Sequence, residues 1–431
     1  MKFKLNVVAI AFAASAPWLT AHAQTPADMQ KQIQQLQEQL QALQAQVQQM
    51  STKTGVDPVE FNRLVQKMDV NEESNIKSGF SGLAFKGVIE ASYLYDKNFN
   101  SANKLSSVAS GFSAGNGGSG TGMFEITKQA EGGEGINWTL RLTPGGGNTN
   151  GSDLVHEASV SVPLGSGGTR LIAGLIPDWQ GYEYSFGNQN PLVTHNLLFN
   201  FASATNYTGA GLQHAFGPVT TKFMLANIDS KSTNKKLPGF VYSANWTINE
   251  FSYLNFSGAH SRRKDEGAGV RPFTLMEIDG GYTRGDLALN GQLSIGRLKG
   301  GAGNGSGDDA KWFGLSGFTG YKVTPRLQAI ARYDYINNRK NGGGMFFDPV
   351  YELTGTSIFG PELDETGVAN DINRGTKRTA LSLGFNYAVN PSTQWKTEYR
   401  LDRSSGYNFL NSNGVPTKSN TTVGTAIVVS F

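Results

Sequence analysis

One short segment of this sequence, residues 177–184 (PDWQGYEY), concentrates side chains that could contact a solute or a substrate. Its polar and aromatic side chains are Asp178, Trp179, Tyr182, Glu183 and Tyr184. Two carboxylates among three aromatic rings could serve catalysis, ion binding or solute passage. Which of these applies depends on the catalytic partners that the rest of the chain offers and on the elements that position the segment.

The sequence contains no recognisable catalytic or metal-binding pattern. Of its five histidines, four lie beyond residue 23, and they are His156, His195, His214 and His260. None has a second histidine four residues away, and the chain has no cysteine, so the spacing does not fit a zinc site. No Gly-x-Ser-x-Gly elbow occurs, and no serine–histidine pair can be nominated. We therefore predict a protein that is not an enzyme, with no catalytic residues, no metal and no cofactor.

Composition narrows the range of partners. The formal net charge is only +3 over 431 residues, so the sequence predicts no nucleic-acid partner. Hydrophobic residues make up 38% of the chain, a moderate value that suits a soluble protein. It also suits a transmembrane β-barrel, because only alternate residues of a barrel strand face lipid.

The first residues predict export from the cytoplasm. Lys2 and Lys4 precede an apolar run at residues 7–14, and Ala21-His22-Ala23 forms a small-x-small cleavage site. This pattern is typical of a secretory signal peptide, here residues 1–23. No later stretch approaches the ~20 consecutive apolar residues of a membrane-spanning helix.

Residues 24–50 are predicted to form a coiled-coil helix. The apolar residues alternate at spacings of four and three, as a heptad repeat requires, and they are Met29, Ile33, Leu36, Leu40, Leu43, Val47 and Met50. Glutamine fills most other positions, so no charge pattern selects a different partner and self-association follows. The seam residues permit either a dimer or a trimer. Residues 51–82 are predicted to be a polar linker.

From residue 83 to residue 431 the pattern changes to segments of about ten residues with period-two alternation, a β-strand signal. We count sixteen such strands, joined alternately by long connections and short turns. This alternation is typical of an antiparallel barrel with two different rims. Apolar and aromatic residues occupy one face of each strand, while charges of both signs recur on the other. A soluble sandwich of sixteen long strands fits these features poorly. The predicted fold is all-β, a sixteen-stranded antiparallel transmembrane barrel.

The last strand carries the clearest lipid-facing pattern. Val423, Thr425, Ile427, Val429 and Phe431 alternate onto one face, and the chain ends there. Such a strand at the end of a chain needs both edges paired, which ring closure provides.

In these features the chain resembles the outer-membrane porins of Gram-negative bacteria. The added heptad helix is similar to that of β-proteobacterial porin-like proteins. The resemblance implies a homotrimeric, water-filled channel in the outer membrane that passes small hydrophilic solutes, with the coiled coil in the periplasm. It also implies that Phe431 is the signal read by the outer-membrane assembly machinery.

The resemblance also implies a role for residues 177–184. In porins the third long loop folds into the lumen, which makes Asp178, Trp179, Tyr182, Glu183 and Tyr184 candidate constriction residues. The alternative is a loop that caps the barrel from outside. Porins place basic side chains on the wall opposite this loop. The candidates for that lumen wall are Lys86, Arg141, Arg170, Arg332, Arg378, Lys396 and Arg400.

The sequence is also compatible with three other functions. The barrel could be a channel specific for phosphate, a sugar or an organic anion. It could be a structural tether that bridges the barrel to the cell wall and conducts incidentally, or a barrel enzyme. Because acidic residues share the predicted lumen with the basic ones, we expect weak ion selectivity with a slight preference for anions.

Overall fold

The structure, a computed structural model, describes residues 82–98, 112–115, 117–130, 135–143, 154–204, 206–228, 238–265, 269–345 and 359–431. The predicted signal peptide, the predicted coiled coil and residues 51–81 of the predicted linker lie outside the described residues. They therefore stay predictions.

Within the described residues, sixteen strands pair in sequence order into one closed antiparallel ring. This confirms the predicted barrel. The strands are β1 Leu83–Asp96, β2 Gly118–Lys128, β3 Asn137–Leu142, β4 Val155–Pro163, β5 Thr169–Pro177, β6 Asn206–Phe216, β7 Val219–Asn227, β8 Gly239–Asn249, β9 Ser252–Asp265, β10 Gly269–Arg284, β11 Leu287–Leu298, β12 Ala310–Thr324, β13 Leu327–Asn337, β14 Lys377–Asn390, β15 Thr393–Ser404 and β16 Ser419–Ser430.

A few short elements accompany the ring. The strand Phe112–Gly115 pairs with the start of β2, and Phe409–Leu410 pairs with Pro416–Thr417 in the connection before β16. The other short elements in the described part of the chain are the α-helix α1 (Leu197–Phe201) and the 3-10 turns Gly187–Gln189 and Lys340–Gly342. Among the described residues, no helix is long and apolar enough to cross a bilayer.

Ring closure joins the first strand to the last. β1 pairs with β16 in a register that places Val88 opposite Ser430. Phe431 extends this ladder by one residue, because its N–H donates to the Gly87 carbonyl (3.0 Å) and its own carbonyl accepts from the Gly87 N–H (2.9 Å). The Phe431 ring lies over Gly87, where a Cβ would collide with it. No strand edge is left unpaired at the seam, as a barrel in lipid requires.

Burial along the strands is inverted relative to a soluble protein. Inward-facing polar residues such as Glu90, Asp334 and Arg400 are buried, whereas outward-facing Ile89 and Leu293 are about half exposed. Tyr93, Tyr95, Tyr333 and Tyr399 also face outward and are exposed. An apolar surface with aromatic residues near its borders is the surface that a bilayer covers.

The two rims differ as predicted. At one rim the strands turn within a few residues, as at Gly217 and Gly285, whose positive φ angles (57° and 60°) suit glycine in tight turns. At the other rim the connections are long, except that residues 266–268 alone join β9 to β10. In outer-membrane barrels the short turns lie on the periplasmic side and the long loops on the extracellular side.

Candidate functional site

Residues 178–204, here called the inner loop, follow β5 and turn into the barrel. The Trp179 carbonyl accepts a hydrogen bond from the Asn255 side chain on β9 (3.0 Å). The Tyr182 hydroxyl lies 2.5 Å from the Ser316 hydroxyl on β12. Contacts with strands so far along the ring require the loop to cross the interior.

Arg332 on β13 is the principal contact between the inner loop and the wall. Its guanidinium donates to the Glu183 carboxylate (2.8 Å) and to the Thr194 carbonyl (2.7 Å). The same group lies 3.3 Å from Asp334 and 3.5 Å from Glu398, both of which belong to the wall. Because the Arg332 side chain is only 1% exposed, these carboxylates, and not water, stabilise its positive charge.

Four charged side chains, three on β15 and one on β1, hold the same loop. Glu398 accepts from the Thr194 N–H (2.7 Å) and hydroxyl (2.8 Å), and Arg400 donates to the His195 carbonyl (2.6 Å). The Lys396 ammonium donates to the carbonyls of Gly187 and Asn190. On β1, Glu90 accepts from the Gly187 N–H (3.1 Å). The loop is therefore fixed against the β11–β16 and β1 side of the ring.

The end of the inner loop is helical and apolar on its buried side. Asn196 caps α1 by accepting from the Phe199 N–H (2.7 Å). Leu197, Leu198 and Phe201 pack into an apolar cluster that includes Trp312 on β12 and Phe359 from the long loop before β14. The cluster also includes buried residues of β6 to β14, most of them near the long-loop ends of these strands.

A cavity, here called the passage, lies on the other side of the inner loop. This cavity has a volume of about 690 Å³ and lies between the loop and strands β3 to β10. Polar and charged side chains of the wall line it, among them Arg141, Glu157, Lys222, Asn245 and Asp279. A smaller cavity of about 150 Å³ lies against β3 to β7, and Trp179, Gln213 and Lys222 line both. Lys222 therefore stands where the two cavities meet.

The basic groups of the passage differ in their pairing. Arg141 is paired with two carboxylates, Glu125 and Glu157, the latter at 3.1 Å. The Lys222 ammonium lies over the Trp179 ring, 5.4 Å from its centroid, and makes no ion pair with a described residue. The charge of Lys222 is therefore less compensated than that of Arg141, although Glu157 also attracts it electrostatically.

Several titratable groups of the inner loop have strongly perturbed pKa values, among them His195 and Asp178. Burial lowers the pKa of His195 to about 4, so its ring is neutral at pH 7 and stacks on Phe199 with the centroids 4.2 Å apart. Burial raises the pKa of Asp178 well above its ordinary value, and the carboxylates of Glu277 and Asp279 raise it further. Both effects reduce the charge that the loop presents to the passage.

The five residues predicted for the constriction lie on the inner loop. Asp178, Trp179, Glu183 and Tyr184 line the larger cavity. Tyr182 does not, because its side chain points under the loop toward β12 and is buried there. The residues are thus together, and four of the five contribute to the cavity lining, although the Glu183 carboxylate is buried against Arg332.

The seven predicted wall residues are not brought together, and only Arg141 lines the cavity. Arg332, Lys396 and Arg400 point inward but lie beneath the loop that they bind, so they do not form a ladder facing it. Arg378 is fully buried at the long-loop rim between the rings of Phe359 and Phe409.

The other two lie near the short-turn rim. Lys86 is largely exposed and 3.3 Å from Glu125, and Arg170 donates to Ser161 (2.7 Å) and to the Gly135 carbonyl (2.8 Å). The predicted and observed positions of the wall residues differ because period-two alternation shows only which residues point inward. It does not show which of them the loop covers.

Lys222 and Tyr253 line the passage but were not among the predicted wall residues. A signal for Lys222 was present: it is the single charged residue of β7, and it alternates onto the inward face with Thr220 and Met224. In the described part of the chain, no group of three or more acidic or histidine side chains could hold a metal ion.

Comparison with known proteins matches this geometry. The sequence profile of the family described as "Putative beta-barrel porin-2, OmpL-like" matches residues 82–431. No curated protein matches the sequence.

Several solved porin structures share the fold. The anion-selective porin from Comamonas acidovorans has a TM-score of 0.54 at 13% identity, over 81% of this chain and 99% of the porin. Salmonella typhi OmpF gives 0.51 at 14% identity, over 81% and 97%. The trimer form of Vibrio cholerae OmpT gives 0.50 at 13% identity, over 81% and 99%. These similar proteins are porins, which are channels rather than enzymes.

Proposed function

The chain belongs to the beta-barrel porin-2, OmpL-like family, and on this premise we propose that it forms a channel in the outer membrane. Small hydrophilic solutes would diffuse through it passively, without a cofactor or an energy source. The observation that carries the proposal is the inner loop, which is tied to one side of a closed barrel and leaves one polar passage on the other side.

The passage has features of a weakly selective filter. Carboxylates and cations both line it, and the Arg141 charge is offset by its partners. In water a unit charge at ~4 Å contributes about 1 kcal/mol, so one uncompensated cation changes ion preference modestly. We propose that Asp178, Trp179, Glu183 and Tyr184 form this filter together with Arg141 and Lys222, and that Tyr182 holds the loop against β12.

Planar-bilayer recording of the purified protein tests the function. A passively conducting porin gives reproducible steps whose size follows the bulk salt conductivity. Steps that one solute blocks at micromolar to millimolar concentration would instead indicate a channel specific for that solute. Absence of any conductance from correctly folded protein would contradict the proposal and favour a structural role.

We expect Lys222→Glu to shift the ion preference toward cations. The substitution removes a positive charge from the junction of the two cavities and adds a negative one. At about 1 kcal/mol per unit charge, the cation-to-anion permeability ratio should rise by roughly fivefold or more. The measurement is the reversal potential in a salt gradient.

The matched control for this variant is Lys377→Glu, the same charge change on the outward face of β14. Its reversal potential should equal that of the wild type. If the Lys222 variant also left the reversal potential unchanged, Lys222 would not lie on the conduction path.

We further propose that the chain is a homotrimer. A solved structure with this fold is of a trimer, that of Vibrio cholerae OmpT. The strands of one side, β3 to β7, have only 6 to 11 residues. Small side chains, those of Ala158, Ala173 and Ala210, face outward there on β4, β5 and β6. A low wall with small side chains allows barrels to approach closely, and the predicted coiled coil would add to the association.

We also propose that Phe431 is read by the outer-membrane assembly machinery. Deleting Phe431 removes the two backbone hydrogen bonds to Gly87 and the ring that lies over it. We expect the fraction of protein recovered from the outer membrane to fall severalfold, while the channels that do assemble keep the wild-type conductance. Phe431→Tyr, which keeps an aromatic end and both hydrogen bonds, is the control. Normal insertion of the deletion variant would refute this role.

A further inference from the structure

The tall side of the barrel, formed by β9 to β12, carries an exposed cluster of positive charge at its long-loop end. Its strands have 12 to 16 residues, against 6 to 11 for β3 to β7. Four basic side chains, here called the cationic patch, face outward and are exposed at this end; they are Arg262, Arg297, Lys299 and Lys311.

The charge of the patch is mostly uncompensated. Arg297 lies directly opposite Lys311 in the ladder, an arrangement that is unfavourable unless an anion lies nearby. Asp309 pairs with Arg297 (2.7 Å), so one of the four charges is offset. Arg262, Lys299 and Lys311 make no ion pair with any described residue. Three cations without an ion pair therefore remain available to an external anion, although Asp309 also attracts Lys311 electrostatically.

The register places these side chains around a single uncharged position. Arg262 lies opposite Pro272, and the Lys299 N–H donates to the carbonyl of the same Pro272 (2.8 Å). Arg262 and Lys299 thus flank Pro272 on strands about 10 Å apart, two interstrand spacings. Thr274, two residues along β10, lies opposite Arg297. Long side chains at these positions can reach one phosphate group bound between them.

An apolar groove lies on the same outward surface, deeper in the membrane. It has a volume of about 410 Å³. Its floor is a row of three glycines on adjacent strands, Gly280 opposite Gly291 and Gly291 opposite Gly317. A Cβ at Gly291 or at Gly317 would meet no other atom within 4 Å, so the floor is open to the lipid. Its border is formed by Leu254, Ile278, Leu293, Leu315 and Tyr333.

The distance between patch and groove fits one leaflet of a membrane. On β10, β11 and β12 the groove glycines lie six residues from Thr274, Arg297 and Lys311. Six residues span about 20 Å along a strand. With a strand tilt of ~45°, this is about 14 Å of depth, close to half of the ~30 Å hydrocarbon core. An acyl chain whose headgroup binds at the patch therefore ends at the groove.

From these two features we propose that the β9–β12 surface binds a phosphorylated lipid of the external leaflet. The cationic patch holds a phosphate group, and the groove holds the end of an acyl chain. The external leaflet of a Gram-negative outer membrane consists mainly of lipopolysaccharide, whose lipid A carries phosphate directly above its acyl chains. Lipid A has the chemistry that both halves of the site require. The low wall proposed for subunit contact lies elsewhere on the ring and leaves this surface to lipid.

Native mass spectrometry of the intact protein in detergent, titrated with diphosphorylated lipid A, tests the site. The wild type should bind lipid A saturably. Arg262→Ala/Lys299→Ala should bind roughly 30-fold more weakly, about fivefold for each cation removed. The control is Lys322→Ala/Arg326→Ala, which removes two exposed cations from the short-turn rim and should bind like the wild type. Heat-modifiable gel migration checks that each variant is folded, and single-channel conductance should be the same in all of them.

A second pair of variants tests the groove. Gly291→Leu fills it without a clash in the protein and should weaken lipid A binding severalfold, whereas Ala329→Leu on the outward face of β13 should not. Dephosphorylated lipid A should bind poorly, and inorganic phosphate should not displace the bound lipid. The proposal is overturned if Arg262→Ala/Lys299→Ala retains wild-type affinity or dephosphorylated lipid A binds equally well. Displacement by inorganic phosphate at matched concentration would also overturn it, because the site would then be one for free anions.

Discussion

Replacing Arg332 with alanine is expected to detach the inner loop from the barrel wall and to raise the single-channel conductance. The guanidinium bridges Glu183, Thr194 and His195 of the loop to Asp334 and Glu398 of the wall. Its removal leaves three buried carboxylates close together without their cation. Breaking a buried ion pair from one side costs about 3–5 kcal/mol, most of it the penalty of an uncompensated buried charge.

The structure indicates how that cost would be relieved. The strand ladder is continuous around the ring and does not depend on Arg332. The inner loop, in contrast, is held mainly by side chains, and Glu183 reaches water as soon as the loop lifts. Release of the loop is therefore cheaper than unfolding of the barrel. We expect the variant to show a larger and noisier single-channel conductance. We expect its denaturation midpoint to decrease only slightly.

The effect of this variant should depend on pH in a defined direction. Burial raises the pKa of Glu183 to about 7, above its unfolded-state value, even with Arg332 beside it. A carboxyl group with a raised folded-state pKa favours the folded loop at low pH, and that contribution is lost as the pH rises through about 7. Without Arg332 this loss is larger. The conductance increase of Arg332→Ala should therefore be small at pH 5 and large at pH 8.

Two controls separate this account from a general loss of fold. Arg332→Lys keeps the charge but not the fork of donors, so it should show an intermediate conductance. Arg326→Ala removes an exposed arginine at the turn before the same strand and should behave like the wild type. If Arg332→Ala had wild-type conductance and noise at pH 8, the loop would not be held by this residue.

The barrel was predictable from sequence because its signals are local. A strand in lipid alternates with period two, and each turn has its own residues, so every strand could be recognised from about ten residues. The start of one strand differs from the sequence pattern. Period-two alternation predicts the sixth strand at residues 202–215, but β6 begins at Asn206, after α1. Leu197–Phe201 is apolar and short, and only the Asn196 cap indicates a helix there.

The arrangement inside the barrel was not predictable in the same way. The Glu183–Arg332 contact joins residues 149 positions apart, and no local pattern encodes it. Arg332, Lys396 and Arg400 resemble Arg141 in the sequence, because all four alternate onto the inward face. They differ only in whether the inner loop lies over them. The path of that loop determines which inward-facing cations line the passage and which ones bind the loop.

Single introduced cysteines test whether solutes pass between the inner loop and the β3–β10 side of the wall. The chain has no cysteine of its own, so an introduced thiol is the sole reactive one. Asn245 on β8 lines the cavity, whereas Ser382 on β14 also faces inward but is fully buried. The measurement is the conductance of Asn245→Cys and Ser382→Cys channels before and after a charged, water-soluble thiol reagent.

Modification of Asn245→Cys should be rapid and should reduce the single-channel conductance by about half or more, because an added group narrows the lined pathway. Ser382→Cys should keep its conductance under the same treatment, since its thiol lies on the covered side. Block of Ser382→Cys channels together with unaffected Asn245→Cys channels would place the pathway on the other side of the loop and contradict the account.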